Sequence, residues 1–140
     1  MLDTGPLVGL LSARDVHHDM TVQALRASLS SGRRISTTWE IIGEAYSFFR
    51  MKARVPRGAE QAREVLRWAW NSGVLVFSAV EDDHERTAEL LERYEQLKIS
   101  YVDGLLLAIC ERHAVEEVIT VDAAHFGAVR LAHDLLITIV

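Results

Sequence analysis

The segment Ser100–Cys110 constrains the fold most, because it is a stretch of helix length that is almost entirely apolar. A helix that is apolar on every side lies in the interior of a domain rather than on its surface. One carboxylate, Asp103, enters this segment near its start, and an unpaired carboxylate is expensive to bury. Asp103 therefore needs a partner: N–H groups at the helix start, a Lys or Arg, or a cation.

The nearest basic residues in the sequence do not supply that partner within the segment. Lys98 precedes it and Arg112 follows it, so both lie outside the apolar stretch. This shortage of nearby positive charge is the first indication of a functional site.

Length and composition indicate one soluble globular domain spanning residues 1–140. No apolar run approaches the ~20 residues that a membrane-spanning helix needs. We see no basic and apolar leader, so secretion is not indicated. The single cysteine, Cys110, excludes an internal disulfide and suits a reducing compartment. These features predict a cytoplasmic protein without a membrane segment.

Helical patterns alternate along the chain with short β-branched runs, which predicts an α/β fold with a largely parallel sheet. Four runs are predicted strands: 34–37, 74–77, 118–121 and 135–140. Thr37 and Glu40 have the spacing of a capping box for a helix from Trp39 to about Met51. Only two residues precede Asp3, so a strand there is predicted to be a stub that holds Asp3 loosely.

Four carboxylates lie outside the polar runs that hold most of the acidic residues. Asp3 and Asp122 each end a predicted strand, Asp103 opens the apolar helix, and Glu44 lies within another apolar helix. Ligands of parallel sheets bind at the carboxyl ends of the strands. We therefore expect the four carboxylates to converge at that edge of the sheet.

Each of these acids also has a purely structural interpretation. Aspartate is a preferred helix N-cap, so Asp3, Asp103 and Asp122 are each candidates for capping. Glu44 is a candidate for a surface ion pair with a Lys or Arg. The four taken together are harder to explain in this way than any one alone.

Carboxylates that converge raise one another's pKa values, and a divalent cation removes that conflict. Ligands that are all oxygens suit Mg²⁺ or Mn²⁺ rather than zinc. Such an ion polarises a phosphoryl oxygen and activates a bound water for attack. Three hydroxyls adjoin the acids and are candidates for orienting them: Thr4, Ser100 and Thr120.

The net charge of −5 does not by itself indicate a nucleic-acid binder. Basic residues nevertheless crowd one segment, and four of them are candidate contacts to a phosphate backbone: Arg50, Lys52, Arg54 and Arg57. The alternative interpretation is a solvated helix face. The histidines lack zinc-type spacing. His125, three residues after Asp122, is a candidate neighbour of the site, but a surface role is the favoured interpretation.

With these residues in place, the whole chain resembles a PIN domain, and within that family the VapC-type toxins of prokaryotic toxin–antitoxin pairs. The resemblance rests on Asp3-Thr4, on Glu44 in an apolar helix, and on two longer motifs, Ser100–Ala108 and Thr120–Phe126. It implies a three-layer α/β/α sandwich with a mostly parallel sheet of about five short strands.

The resemblance also implies a Mg²⁺- or Mn²⁺-dependent ribonuclease in which Asp3, Glu44, Asp103 and Asp122 are the catalytic and metal-binding residues. It implies an RNA substrate, a homodimer, and inhibition by a cognate antitoxin protein.

Two other functions stay open at this point. The first is a catalytically silent PIN-like module that binds RNA or protein. The second is a phosphate-handling signalling domain, which needs a Lys at the end of its last strand. No Lys follows Val121, so the sequence disfavours the signalling domain.

Overall fold

The computed structural model describes residues 1–51 and 57–140. Its helices are α1 (Thr4–Leu11), α2 (His18–Ser30), α3 (Trp39–Met51), α4 (Gly58–Asn71), α5 (Glu81–Arg93), α6 (Tyr101–Arg112) and α7 (Ala123–Ala128). Its strands are β1 (Ser36–Thr38), β2 (Leu75–Phe77), β3 (Glu117–Thr120) and β4 (Leu136–Ile139). The alternation of helices and strands confirms the predicted α/β class.

The strands form two parallel pairs, β1 with β2 and β3 with β4. Leu2 joins the two pairs, because it forms a parallel bridge with Ile119 and its N–H donates to the carbonyl of Ser36 at 2.7 Å. The resulting order is β2, β1, the residue Leu2, β3 and β4. The sheet therefore contains four strands and a central stub, close to the five strands expected.

The central stub is held more firmly than its length suggested. Leu2 is fully buried, and its carbonyl accepts a hydrogen bond from Thr37 Oγ1 at 2.9 Å. Asp3 continues the pairing, since its N–H donates to the carbonyl of Ile119 at 3.1 Å. The expectation of a loosely held Asp3 is therefore wrong, because hydrogen bonds from both neighbouring strands fix its backbone.

Helix α6 lies in the interior, as its apolar sequence predicts. Its side chains from Leu105 to Cys110 are at most 2% exposed. Burial raises the pKa of the Cys110 thiol to about 12, so this cysteine stays protonated and unreactive near neutral pH. Among the described residues, no helix, α6 included, is long and apolar enough to cross a membrane.

A buried ion pair fastens α5 to the end of α6. Arg112 binds Asp83 through two hydrogen bonds, Nε to Oδ1 at 2.7 Å and Nη2 to Oδ2 at 2.8 Å, and also donates to the carbonyl of Ser78. Burial raises the pKa of Asp83, whose side chain is only 2% exposed, but the hydrogen bonds from Arg112 and from the N–H of Val80 outweigh it. The pKa of Asp83 is therefore held below its ordinary value, and the carboxylate stays charged.

Two local expectations were wrong or incomplete. Thr38, not Thr37, caps α3: its Oγ1 accepts from the N–H of Ile41 at 3.3 Å, while Thr37 is occupied with Leu2. Glu40 therefore forms no capping box with Thr37. Asp122 as a candidate cap was the one sequence signal for the short helix α7, whose six residues are few for a periodicity to emerge.

Candidate active site

The four predicted carboxylates lie near the carboxyl edge of the sheet. Asp3 follows the central stub and precedes α1, and Asp122 lies between β3 and α7. Asp103 is in the first turn of α6, and Glu44 lies on α3, the helix that follows β1 directly. The fold thus brings residues that are distant in sequence to one region.

Asp3 lies at the centre of this carboxylate cluster, which we define as Asp3, Glu44, Asp103 and Asp122. It is 6% exposed and caps α1 by accepting from the N–H of Thr4 at 2.6 Å. Its second oxygen accepts from Thr120 Oγ1 at 2.7 Å. Both carboxylate oxygens are therefore fixed in direction before any ligand binds.

Thr120 connects Asp3 to Asp122. Its hydroxyl donates to Asp3 and at the same time accepts from the N–H of Asp122 at 2.9 Å. Asp122 in turn caps α7, because its Oδ1 accepts from the N–H groups of Ala124 and His125. One buried hydroxyl thus sets the spacing between two of the four acids.

Thr4 connects Glu44 to the cluster in a similar way. Glu44 is exposed, and its Oε2 accepts from Thr4 Oγ1 at 2.7 Å. Because Thr4 is also the residue whose N–H binds Asp3, one residue orients two carboxylates from different helices. This hydrogen bond explains how an exposed glutamate is directed towards the other acids.

Asp103 differs from the other two aspartates because it does not cap its helix. Ser100 caps α6: its Oγ accepts from the N–H of Asp103 at 3.1 Å. The carboxylate of Asp103 is left to face the cluster, with its side chain 20% exposed. Helix capping is therefore a sufficient structural explanation for Asp3 and Asp122. It does not explain the positions of Asp103 and Glu44.

The cluster lacks the basic partners that a structural arrangement would use. Within residues 1–51 and 57–140, no Lys or Arg forms an ion pair with any of the four acids. Burial, with smaller contributions from the charges of Asp103 and Glu44, raises the pKa of Asp3 to about 6 against the hydrogen bonds from Thr120 and Thr4. The site is thus a concentration of negative charge that no described Lys or Arg neutralises.

The donor set has the chemistry of a site for a hard divalent cation. Every acidic ligand is an oxygen, which suits Mg²⁺ or Mn²⁺, and bound positive charge would favour the charged form of Asp3, whose pKa is raised mainly by burial and to a smaller extent by Asp103 and Glu44. As they are placed, the described His, Cys, Asp and Glu side chains do not bring three ligands onto one point. The chemistry of the residues fits a cation, and direct ligation by several of them requires side-chain movement.

The described basic candidates form no ion pair with the carboxylate cluster. Arg50 is exposed near the end of α3, about 9 Å along the helix axis from Glu44. Arg57 forms an exposed ion pair with Glu60 at 3.8 Å. Lys52 and Arg54 lie outside the described residues, so a role for this segment in RNA binding stays a prediction.

His125 borders the cluster, which corrects the favoured interpretation of a surface role. Its Nδ1 lies 2.9 Å from Asp122 Oδ2 and 3.9 Å from Asp103 Oδ2. Its distance of three residues from Asp122, within one turn of a helix start, was the only available signal. The contact to Asp103 joins residues that are 22 positions apart, on α7 and α6, which no local pattern encodes.

These features define a class: an α/β protein whose parallel sheet carries an acidic site at its carboxyl edge. The family comparison is more specific, because the model of the PIN domain matches residues 1–130. The chain belongs to the PIN domain family. No curated protein matched the chain.

Several solved structures share the fold. VapC20 of Mycobacterium tuberculosis, described as a toxin that cleaves the sarcin-ricin loop, is 18% identical with a TM-score of 0.75, over 92% of this chain and 95% of that one. VapBC2 of Rickettsia felis, bound to a fragment of its promoter DNA, is 16% identical with a TM-score of 0.72, over 98% and 95%. A toxin–antitoxin complex from Klebsiella pneumoniae is 24% identical with a TM-score of 0.64, over 91% and 90%.

The raised pKa of Asp3 predicts an unusual pH dependence of stability without divalent ions. Because its pKa is about 6 in the folded chain and 3.8 as a free group, the folded state binds more protons between these values. The free energy of unfolding therefore falls as pH rises, by about 2–3 kcal/mol from this residue between pH 4 and pH 7. Asp3→Asn removes this dependence.

The measurement is urea unfolding of both proteins in EDTA across that pH range. We expect the wild type to lose stability relative to Asp3→Asn as pH rises. Equal slopes of the unfolding free energy against pH for the two proteins would show that burial and the acidic neighbours do not raise the pKa of Asp3.

Proposed function

We propose that this chain is a divalent-metal-dependent endoribonuclease that hydrolyses RNA phosphodiester bonds, and that it is the VapC-type toxin of a toxin–antitoxin pair. The observation that carries the proposal is the convergence of Asp3, Glu44, Asp103 and Asp122 without a Lys or Arg among the described residues to neutralise them. Membership of the PIN domain family supports the same chemistry.

In this proposal the four carboxylates hold Mg²⁺ or Mn²⁺. The ion supplies polarisation of a phosphoryl oxygen and a lower pKa for the attacking water. Asp3 and Asp122, which Thr120 links, would hold the ion together with Asp103. Glu44 is exposed and oriented by Thr4, so it is suited to orient the attacking water and to accept its proton.

The partners of the chain follow from the same assignment. Among the similar structures, VapC20 is described as a toxin that cleaves the sarcin-ricin loop, and the Klebsiella pneumoniae structure as a toxin–antitoxin complex. We propose by analogy an RNA substrate, a cognate antitoxin, a homodimer and a cytoplasmic location. Arg50 and Arg57 are proposed contacts to the RNA backbone.

The test is cleavage of a labelled structured RNA by the purified chain. We expect cleavage that rises with Mg²⁺ or Mn²⁺ and is abolished by EDTA, and that returns when the ion is restored in excess. Binding of the RNA without turnover in any divalent ion would instead support the catalytically silent module. Cleavage that persists in EDTA would contradict the metal-dependent mechanism.

A further inference from the structure

His125 occupies the space between two carboxylates that come from different parts of the chain. Its Nδ1 lies 2.9 Å from Asp122 Oδ2 and 3.9 Å from Asp103 Oδ2. The atom is buried, yet it forms no hydrogen bond of good geometry with any described residue. A buried polar nitrogen left in this condition is costly, so its position calls for an explanation.

His125 faces the oxygen of Asp122 that accepts no backbone hydrogen bond and is therefore available to a ligand. Asp122 Oδ1 already accepts from the N–H groups of Ala124 and His125, at 3.1 and 3.0 Å. Oδ2 has no such partner and points to the imidazole instead. In this arrangement the ring nitrogen therefore stands where a cation would reach Asp122.

A directly bound ion and this ring position exclude each other. Mg²⁺ lies about 2.0–2.1 Å from each oxygen that ligates it. An ion at that distance from Oδ2 of both Asp122 and Asp103 needs the region between them, which Nδ1 fills.

We propose that His125 is a gate for the metal site. In the cation-free chain its imidazole fills the space between Asp103 and Asp122, and it turns away when a divalent ion binds both carboxylates. This proposal rests on the proposed function, because it concerns the ion of that same site. It assigns His125 a positioning role rather than that of a ligand.

The surroundings of His125 permit this movement. Its side chain is 30% exposed and therefore reaches the solvent, although Nδ1 itself is buried. It is carried by α7, a six-residue helix that begins with the small residues Ala123 and Ala124, both exposed. A rotation of the side chain therefore requires no repacking of the core.

The first test measures Mn²⁺ affinity of the full chain, without RNA, by the electron paramagnetic resonance signal of free Mn²⁺. His125→Ala removes the competing nitrogen, so we expect Mn²⁺ to bind on the order of fivefold more tightly, as loss of one competing polar contact implies. His125→Asn keeps a nitrogen near the position of Nδ1 and should bind within about twofold of the wild type. His133→Ala, which removes an imidazole bound to the carbonyl of Val115, is the matched control and should leave the affinity unchanged.

The second test needs no variant and follows the histidine ring signals of the wild type by nitrogen-15 NMR during a Mg²⁺ titration. We expect the His125 ring signals to shift as the ion binds while those of His133 stay in place. Mn²⁺ affinity that is equal or weaker in His125→Ala, or His125 signals that do not respond to bound Mg²⁺, would overturn the gate while leaving the nuclease proposal intact. Absence of Mn²⁺ binding in both the wild type and His125→Ala would overturn the metal site and the gate together.

Discussion

Replacing Asp103 with Asn is expected to lower the rate of RNA cleavage by about 10³-fold, equivalent to ~4 kcal/mol of transition-state stabilisation. The amide keeps the size of the side chain and removes the charge that would hold the divalent ion. Asp103 is chosen because Ser100, not Asp103, caps α6. Its carboxylate is therefore free of a structural task that the substitution would disturb. The measurement is the single-turnover cleavage rate at saturating Mg²⁺.

The same variant is expected to fold at least as well as the wild type. The charge of Asp103 helps to raise the pKa of Asp3, so removing it relieves repulsion in the cation-free chain. Thermal unfolding in EDTA should therefore give an equal or higher midpoint. A lost activity can then be assigned to the site rather than to unfolding.

Asp19→Asn is the matched control, since Asp19 is an exposed aspartate on α2. It should cleave RNA at the wild-type rate. Equal cleavage by Asp103→Asn and the wild type would mean that the activity comes from a contaminating nuclease, or that Asp103 takes no part in the reaction.

Replacing Arg112 with Met is expected to have the largest effect on stability, a loss of about 3 kcal/mol in the free energy of unfolding at pH 7. The substitution leaves the carboxylate of Asp83 charged, 2% exposed and without its two hydrogen bonds from the guanidinium. Because this pair joins α5 to the end of α6, its loss loosens the helix that carries Asp103. Urea unfolding gives the free energy directly.

The pH dependence distinguishes this cause from a loss of packing. The pKa of Asp83 is lowered in the folded chain, so its pair with Arg112 contributes stability above the unfolded pKa of about 3.8 and loses it as pH falls. The difference between Arg112→Met and the wild type should therefore persist down to about pH 4 and shrink as pH falls below about 3.8. A difference that stays constant with pH would contradict the buried charge as the cause.

Arg67→Met provides the control for removing an arginine from an ion pair. Arg67 pairs with Glu64 on the surface of α4, with 60% of its side chain exposed, so we expect a change below about 0.5 kcal/mol. A loss as large as that of Arg112→Met would show that burial does not determine the cost.

The parts of the fold that the sequence predicted are those that leave a local signature. Helix α6 is apolar on all sides, and such a pattern has no stable place except the interior. The four acids were identified because each lies beside apolar residues, where a charge has no ordinary reason to be. Parallel strands then predict a common edge for residues that end them.

The parts that were missed depend on contacts between distant residues. The link from Asp3 through Thr120 to Asp122, and the place of His125 between two carboxylates, exist only once α6, β3 and α7 are packed together. The firm hold on Asp3 has the same origin, because the hydrogen bonds of the stub come from two neighbouring strands.

The error at the start of α3 has a smaller cause. Thr37 and Thr38 are adjacent hydroxyl residues, and the spacing to Glu40 favoured the first of them. In the structure the hydroxyl of Thr37 donates to the carbonyl of Leu2, so Thr38 caps the helix instead. A long-range hydrogen bond thus decided between two locally similar caps.

The most direct test of this account is the position of Mn²⁺ in crystals of the full chain, located by its anomalous diffraction. We predict a peak within direct coordination distance of carboxylate oxygens from at least two of Asp3, Asp103 and Asp122, with the His125 ring turned away from it. A peak elsewhere on the surface, or an acidic cluster that stays empty at saturating Mn²⁺, would contradict the claim that these distant acids form one metal site.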